Sequence, residues 1–218
     1  MAKTKSIFRC QECGFETPKW AGQCSDCSQW NTLVEESRAG LAASAERRPA
    51  AQLTAFCSKV TLLDQAGAAD LKRLPTGIGE VERLLGGGVV AGQVVLLAGP
   101  PGIGKSTLAL QVAAAAGRPV LYVSGEESMA QVAQRAGRLG IKSKAVSLLS
   151  ETNLAAILEA AKACKPELLI LDSIQTVYHP ELEGGAGTVG QVRACAAELL
   201  RLAKSQGTVV FLLGRDLP

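Results

Sequence analysis

The chain reads as an α/β protein, a parallel sheet flanked by helices and preceded by a small four-cysteine module. Three observations predict this. From about residue 60 onward, short apolar runs alternate with Ala- and Leu-rich helical stretches. A glycine-rich loop ending in Gly104-Lys105-Ser106 joins the first such run to the first such stretch. Two Cys-x-x-Cys pairs lie within the first 30 residues.

Each element follows from its residues. Val94 to Ala98 is a continuous apolar run, which predicts a buried strand. Ser106 to Ala116 is helical and stops at Gly117. Val120 to Val123 is a second strand, and Glu126 to Leu139 reads as a helix. Ala145 to Leu149 is a third strand; Asn153 to Cys164 is a helix with Pro166 just beyond it. Leu168 to Leu171 is a fourth strand. Val189 to Lys204 places Val192, Cys195, Ala196, Leu199, Leu200 and Ala203 at helical spacing, and Val209 to Leu213 is a fifth strand. Short connections between alternating strands and helices imply a parallel sheet covered on both faces. Such sheets bind ligands beyond the carboxyl ends of their strands.

Composition narrows the class. With 47% hydrophobic and 20% charged residues the chain is neither disordered nor fibrous. A net charge of +3 is too weak to demand or exclude a nucleic-acid partner. No apolar run reaches the ~18–20 residues of a membrane span. The basic start, Met1 to Cys10, is followed by no apolar stretch, so no signal peptide is expected. Seven cysteines in such a chain point to metal ligands or structural thiols in a reducing cytoplasm, not to disulfides.

Gly99-Pro100-Pro101-Gly102-Ile103-Gly104-Lys105-Ser106 matches the phosphate-binding pattern G-x-x-x-x-G-K-[ST] between a strand and a helix. The glycines let main-chain N–H groups turn inward, and the helix start favours an anion. Lys105 brings a cation to the outer phosphates of ATP, Ser106 a hydroxyl for Mg²⁺, and Thr107 a hydroxyl near the inner phosphate. Asp172 ends the fourth strand, where a carboxylate can hold Mg²⁺ through water; a turn or helix-cap role is its plain alternative. Glu126 and Glu127 follow the second strand. Either can position the attacking water, or both can be ordinary acids of a helix start. Arg135 and Arg138 read as solvent-facing, and the single histidine, His179, has no assigned role.

Cys10-x-x-Cys13 and Cys24-x-x-Cys27 form two knuckles that can close a tetrahedral S₄ site, the set that suits Zn²⁺. The spacing alone admits iron as well; zinc is the commoner occupant. Four thiolates leave no open position, so the role is structural. Trp20 and Trp30 are expected to pack against the knuckles. Cys164 and Cys195 read as core residues, and Cys57 is isolated.

Residues 75–93, with Gly86-Gly87-Gly88 and Gly92-Gln93, resemble the lead-in of RecA-like ATPases. Arg9-Cys10-Gln11-Glu12-Cys13-Gly14, Lys19 to Cys24, Trp30 to Leu33, Gly99 to Thr107 and Leu171 to Thr176 extend the resemblance to the bacterial RadA (Sms) family of DNA repair proteins. It covers Ile7 to about Gly214. Cysteine spacing, the Ala-, Arg-, Ser- and Gln-rich stretch around Pro49 and the resemblance together predict a four-cysteine zinc module over 1–36, a linker over 37–58 and a RecA-like core over 59–218. The resemblance also implies a DNA-dependent ATPase of homologous recombination that drives branch migration. ATP, Mg²⁺ and Zn²⁺ would be the cofactors, single-stranded and branched DNA and the RecA recombinase the partners, and a homohexamer the assembly. By position in the motif, Glu126 matches the catalytic glutamate.

The sequence departs from the family after the fifth strand. Gly214 to Pro218 does not match the expected polar switch, and Lys-Asn-Arg-Phe-Gly occurs nowhere. The resemblance therefore implies a C-terminally truncated member whose ended sheet leaves an unpaired edge. Two other readings stand beside this one: a P-loop regulator similar to the KaiC group, and a zinc-ribbon interaction module with an inert ATPase part.

Overall fold

The computed structural model describes residues 6–37 and 72–215. The expected linker, apart from Ser37, and Cys57 lie outside the described residues. In the N-terminal module, β1 (Ser6–Cys10) pairs antiparallel with β2 (Glu16–Thr17) and with β3 (Leu33–Ser37). Its interior is Cys10, Cys24 and Leu33, edged by Phe8, Cys13 and Cys27. Neither tryptophan is part of it. Trp20 and Trp30 are 59% and 68% exposed and flank Gly22 on the surface, so the expectation that they pack on the knuckles is corrected.

Residues 72–93, which include the glycine-rich lead-in, form a small unit whose strands and helix the sequence does not predict. Here β4 (Arg73–Leu74) pairs antiparallel with β5 (Val89–Val90) around the short α1 (Gly79–Leu84). The Arg73 guanidinium closes the loop by donating to the carbonyls of Leu85 and Gly88, each at 2.9 Å.

The large sheet is built from β6 (Val94–Ala98), β7 (Val120–Ser124), β8 (Val146–Ser150), β9 (Leu168–Asp172) and β10 (Val209–Gly214). All pairings are parallel, in the order β6-β10-β9-β7-β8. The last strand in sequence is thus central, and the edges are β6 and β8. Helices α2 (Lys105–Ala115), α3 (Met129–Arg138), α4 (Leu154–Cys164) and α5 (Val189–Gln206) make the connections.

The two faces are told apart by alternation along each strand. Leu121, Val123, Leu169, Leu171, Val210 and Leu212 pack with α4 and α5. Val120, Tyr122, Leu168, Ile170, Phe211 and Leu213 pack with α2 and α3. Among the described residues no helix is long and apolar enough to cross a membrane.

Three expectations are corrected. β6 is an edge strand rather than a buried one, and Leu96 on it is 64% exposed. Cys164 is exposed, because it sits in the last turn of α4 off its buried face; Cys195 is buried as expected. The helix expected from Glu126 begins at Met129. Ser128 caps it, its Oγ accepting from Gln131 N (3.4 Å) while its own N–H donates to Gln131 Oε1 (2.9 Å). Glu126 and Glu127 therefore lie in the turn before the helix.

Candidate functional site

The loop after β6 runs from Gly99 through Pro100, Pro101, Gly102 and Ile103 to Gly104, and α2 starts at Lys105. Gly102 and Gly104 hold φ of 80° and 101°, and a Cβ added at either would meet nothing within 4 Å. The left-handed backbone, not crowding, is what calls for glycine there. It leaves an open concave turn. The first intrahelical bond is Leu108 N to Gly104 O (2.9 Å). The N–H groups of Lys105, Ser106 and Thr107 thus have no intrahelical acceptor and face the loop end. Lys105 Nζ donates to Gly99 O (2.5 Å) and Pro100 O (2.8 Å), which places its charge at the loop. An open turn, helix-start donors and one ammonium fit the phosphates of a nucleotide.

Sheet register sets the distance to the acid. Leu171 is level with Leu212, and Leu212 with Leu96. Asp172 is therefore level with Leu97, two strand spacings or about 10 Å across the sheet. Asp172 is also the direct partner of Ser124, at the end of β7. Glu126 lies beyond that end, and its Oε1 accepts from Ser173 Oγ (3.1 Å). The Glu126 side chain is 49% exposed, with the Arg215 guanidinium at 3.9 Å. Glu127 is engaged differently. It pairs with Arg135 at 2.5 Å, and its N–H donates to Ser124 Oγ (2.9 Å). Arg135 is only 14% exposed, so its expected solvent-facing position is corrected.

Several residues to which the sequence reading gave no role shape this edge. A Cβ on Gly125 would lie 2.0 Å from Thr176 Oγ1, so only glycine lets the turn pass that close. Tyr122 is fully buried and donates to Asp172 Oδ2 at 2.7 Å. Burial, and then the Asp172 carboxylate, push the phenol pKa upward, which keeps it a donor. An aromatic two residues before the strand end was the visible clue; its partner was not.

In the N-terminal module the sulfurs of Cys10, Cys13, Cys24 and Cys27 all lie within 4.8 Å of one another. The Cys10–Cys27 and Cys13–Cys24 separations are both 3.6 Å. Tetrahedral zinc with bonds of about 2.3 Å implies S–S edges of about 3.8 Å, so the set fits such an ion. Burial opposes the Cys10 thiolate, yet the Thr32 hydroxyl and nearby main-chain groups outweigh it and bring its pKa down to about 6. The Cys13 thiol is pushed up to about 12: its main-chain bond near Phe15 favours the thiolate, but burial and the neighbouring sulfurs prevail. Four crowded thiolates need a cation to coexist.

Residues 61–214 match the family described as AAA domain, and residues 8–35 match the rubredoxin metal binding domain. The DNA repair protein RadA of Bacillus subtilis (strain 168) is 44% identical over 223 residues, covering 98% of this chain and 47% of that protein. RadA of Pseudomonas aeruginosa is 44% identical over 216 residues, with shares of 98% and 47%. RadA of Aquifex aeolicus (strain VF5) is 42% identical over 217 residues, with shares of 99% and 47%. The chain spans about half the length of the curated relatives it matches. Among solved structures, a KaiC-like protein from Pyrococcus horikoshii OT3 superposes with a TM-score of 0.57 at 22% identity. It covers 67% of this chain and 71% of that one; the likeness is one of fold alone. Since the AAA domain match runs through the whole parallel sheet, the chain belongs to the AAA domain family, as a relative of the bacterial DNA repair protein RadA.

Proposed function

We propose that the chain is the zinc module and nucleotide-binding core of a DNA-dependent ATPase of homologous recombination and DNA repair. Its work would be ATP-driven branch migration on single-stranded and branched DNA, with RecA as protein partner and a homohexameric ring as assembly. The similarity to RadA proteins supports the repair role. One observation carries the ATPase reading: the open Gly99–Thr107 turn, Asp172 and Glu126 share the carboxyl edge of one parallel sheet.

Gly99, Pro100, Pro101, Gly102, Ile103 and Gly104 would wrap main-chain N–H groups around the phosphates. Lys105 would offset the charge that develops on the transferred phosphoryl group, and Thr107 would meet an inner phosphate. Ser106 and Asp172 would hold Mg²⁺, which supplies charge neutralisation when bound. Glu126 would accept the proton of the attacking water. It is exposed, lightly held by Ser173, and free of the strong pairing that occupies Glu127. Cys10, Cys13, Cys24 and Cys27 would hold Zn²⁺ as a structural ion. The chemistry is that of a reducing cytoplasm, where the four thiols stay available to metal.

Lys105→Ala tests the core reading. Affinity for a fluorescent ATP analogue should fall about 10- to 100-fold, the loss of one charge-assisted contact. Unchanged affinity in a folded variant removes the assignment. Stimulation of hydrolysis by single-stranded DNA would then separate a repair ATPase from a KaiC-like regulator.

A further inference from the structure

We propose that Tyr122 is a positioning residue for the Asp172 carboxylate, locked in place by the Arg135–Glu127 pair of the neighbouring turn and helix. The proposal rests on the nucleotide-site reading above and assigns to that site a support that lies outside the phosphate loop.

The geometry follows from strand pairing. Ser124 and Asp172 are direct neighbours across β7 and β9, and Tyr122 is paired with Ile170. Tyr122 is thus the diagonal neighbour of Asp172 on the same face, within reach of a long aromatic side chain. Its hydroxyl meets Oδ2 at 2.7 Å. A carboxylate on a short side chain has one soft torsion left once its rotamer is packed, and this bond fixes it. With Oδ2 accepting from Tyr122, Oδ1 is the oxygen presented to a cation.

The phenol oxygen has a second neighbour on the side of α3. Arg135 Nη2 donates to Tyr122 Oη at 3.5 Å and pairs with Glu127 Oε2 at 2.5 Å. The Asp172 carboxylate can only accept, so it takes the single hydroxyl proton, and the phenol oxygen keeps its lone pairs for the guanidinium. Ser124 Oγ, accepting from Glu127 N–H, ties this turn to the end of β7. The chain Glu127–Arg135–Tyr122–Asp172 therefore runs from the first turn of the site to its second carboxylate. Packing alone would need only the ring, since phenylalanine has the same shape. The hydroxyl needs a different account.

Tyr122→Phe in the 218-residue chain separates the two. Binding of a fluorescent ATP analogue is measured without divalent ion and then across a Mg²⁺ titration, with Mn²⁺ binding followed by electron paramagnetic resonance. Metal-free affinity should stay within about twofold of the parent, while half-saturating Mg²⁺ should rise about five- to tenfold, the size of one ordinary net hydrogen bond. Arg135→Gln, which leaves Tyr122 in place, should shift Mg²⁺ dependence the same way by less. The double variant should show no more than the Tyr122→Phe shift. Should Tyr122→Phe fail to fold, Arg135→Gln reads the same shift alone. A Mg²⁺ dependence identical to the parent in whichever of these variants folds overturns the positioning role and leaves the nucleotide site standing. A parent that binds no nucleotide at any Mg²⁺ concentration overturns both.

Discussion

In the four-cysteine module three buried residues make the interior, and two of them are cysteines; one face of the parallel sheet alone buries fifteen. The difference decides what each region needs in order to hold its shape. Leu154, Ile157, Leu169, Leu171, Leu199 and Leu213 are each at most 1% exposed, and burying such a side chain is worth about 1.5–3 kcal/mol. The sheet can meet the entropy of ordering its chain with apolar burial. The module cannot: its largest apolar rings lie on the surface, and its centre is sulfur. An ion held by its four sulfurs would supply what apolar burial does not.

Removing that ion is the strongest way to break the comparison. Binding of structural zinc is worth about 10–16 kcal/mol near neutral pH, far more than the three-residue interior of this module can replace. A chelator should therefore unfold residues 6–37 and leave the sheet intact. Hydrogen exchange resolved by segment checks this: protection should vanish over β1 and β3 and persist over β7, β9 and β10. A module that keeps its protection without metal would mean that apolar burial does suffice there.

The converse test removes apolar surface from the sheet. Leu199 on α5 is fully buried among Leu169, Leu171 and Val210. Leu199→Ala should destabilise the core by about 2–5 kcal/mol, read from urea unfolding, with metal content unchanged. A loss of metal along with core stability would show that the two regions fold as one unit.

What the sequence makes legible follows the same division between local and long-range chemistry. The phosphate loop, the cysteine knuckles and the acid at the end of β9 are contiguous patterns whose meaning depends on a few neighbours. The helix start at Met129 rests on the Ser128–Gln131 box, which is present in the sequence beside Glu126 and Glu127, two acids that suit a helix start equally well. The Tyr122–Asp172 bond is of another kind. It exists because β7 lies beside β9 rather than beside β6, and no spacing along the chain encodes that order. Arg135 read as a surface residue for the same reason: α3 has to fold back over β7 before the guanidinium finds Glu127 and the phenol. Exposure of Leu96 likewise follows from the edge position of β6, which depends on β10 entering the sheet between β6 and β9.

The smallest expected effect sharpens the comparison most finely. Trp30 is a large apolar side chain in a small module, and in a sheet-type core its loss would cost several kcal/mol. Here it is 68% exposed, and its ring borders Gly22 rather than Cys10 or Leu33. Truncation opens no cavity, because solvent already reaches most of the ring. Trp30→Ala should therefore change the stability of the metal-bound module by no more than about 0.5 kcal/mol, the usual range for surface positions. Metal retention during competition with a graded series of chelators measures this: the variant should release its ion at the same chelator strength as the parent. Release at a much weaker chelator would mean that the indole supports the knuckles after all. The contrast with Leu199 would then be one of degree, set by how much apolar surface each region holds.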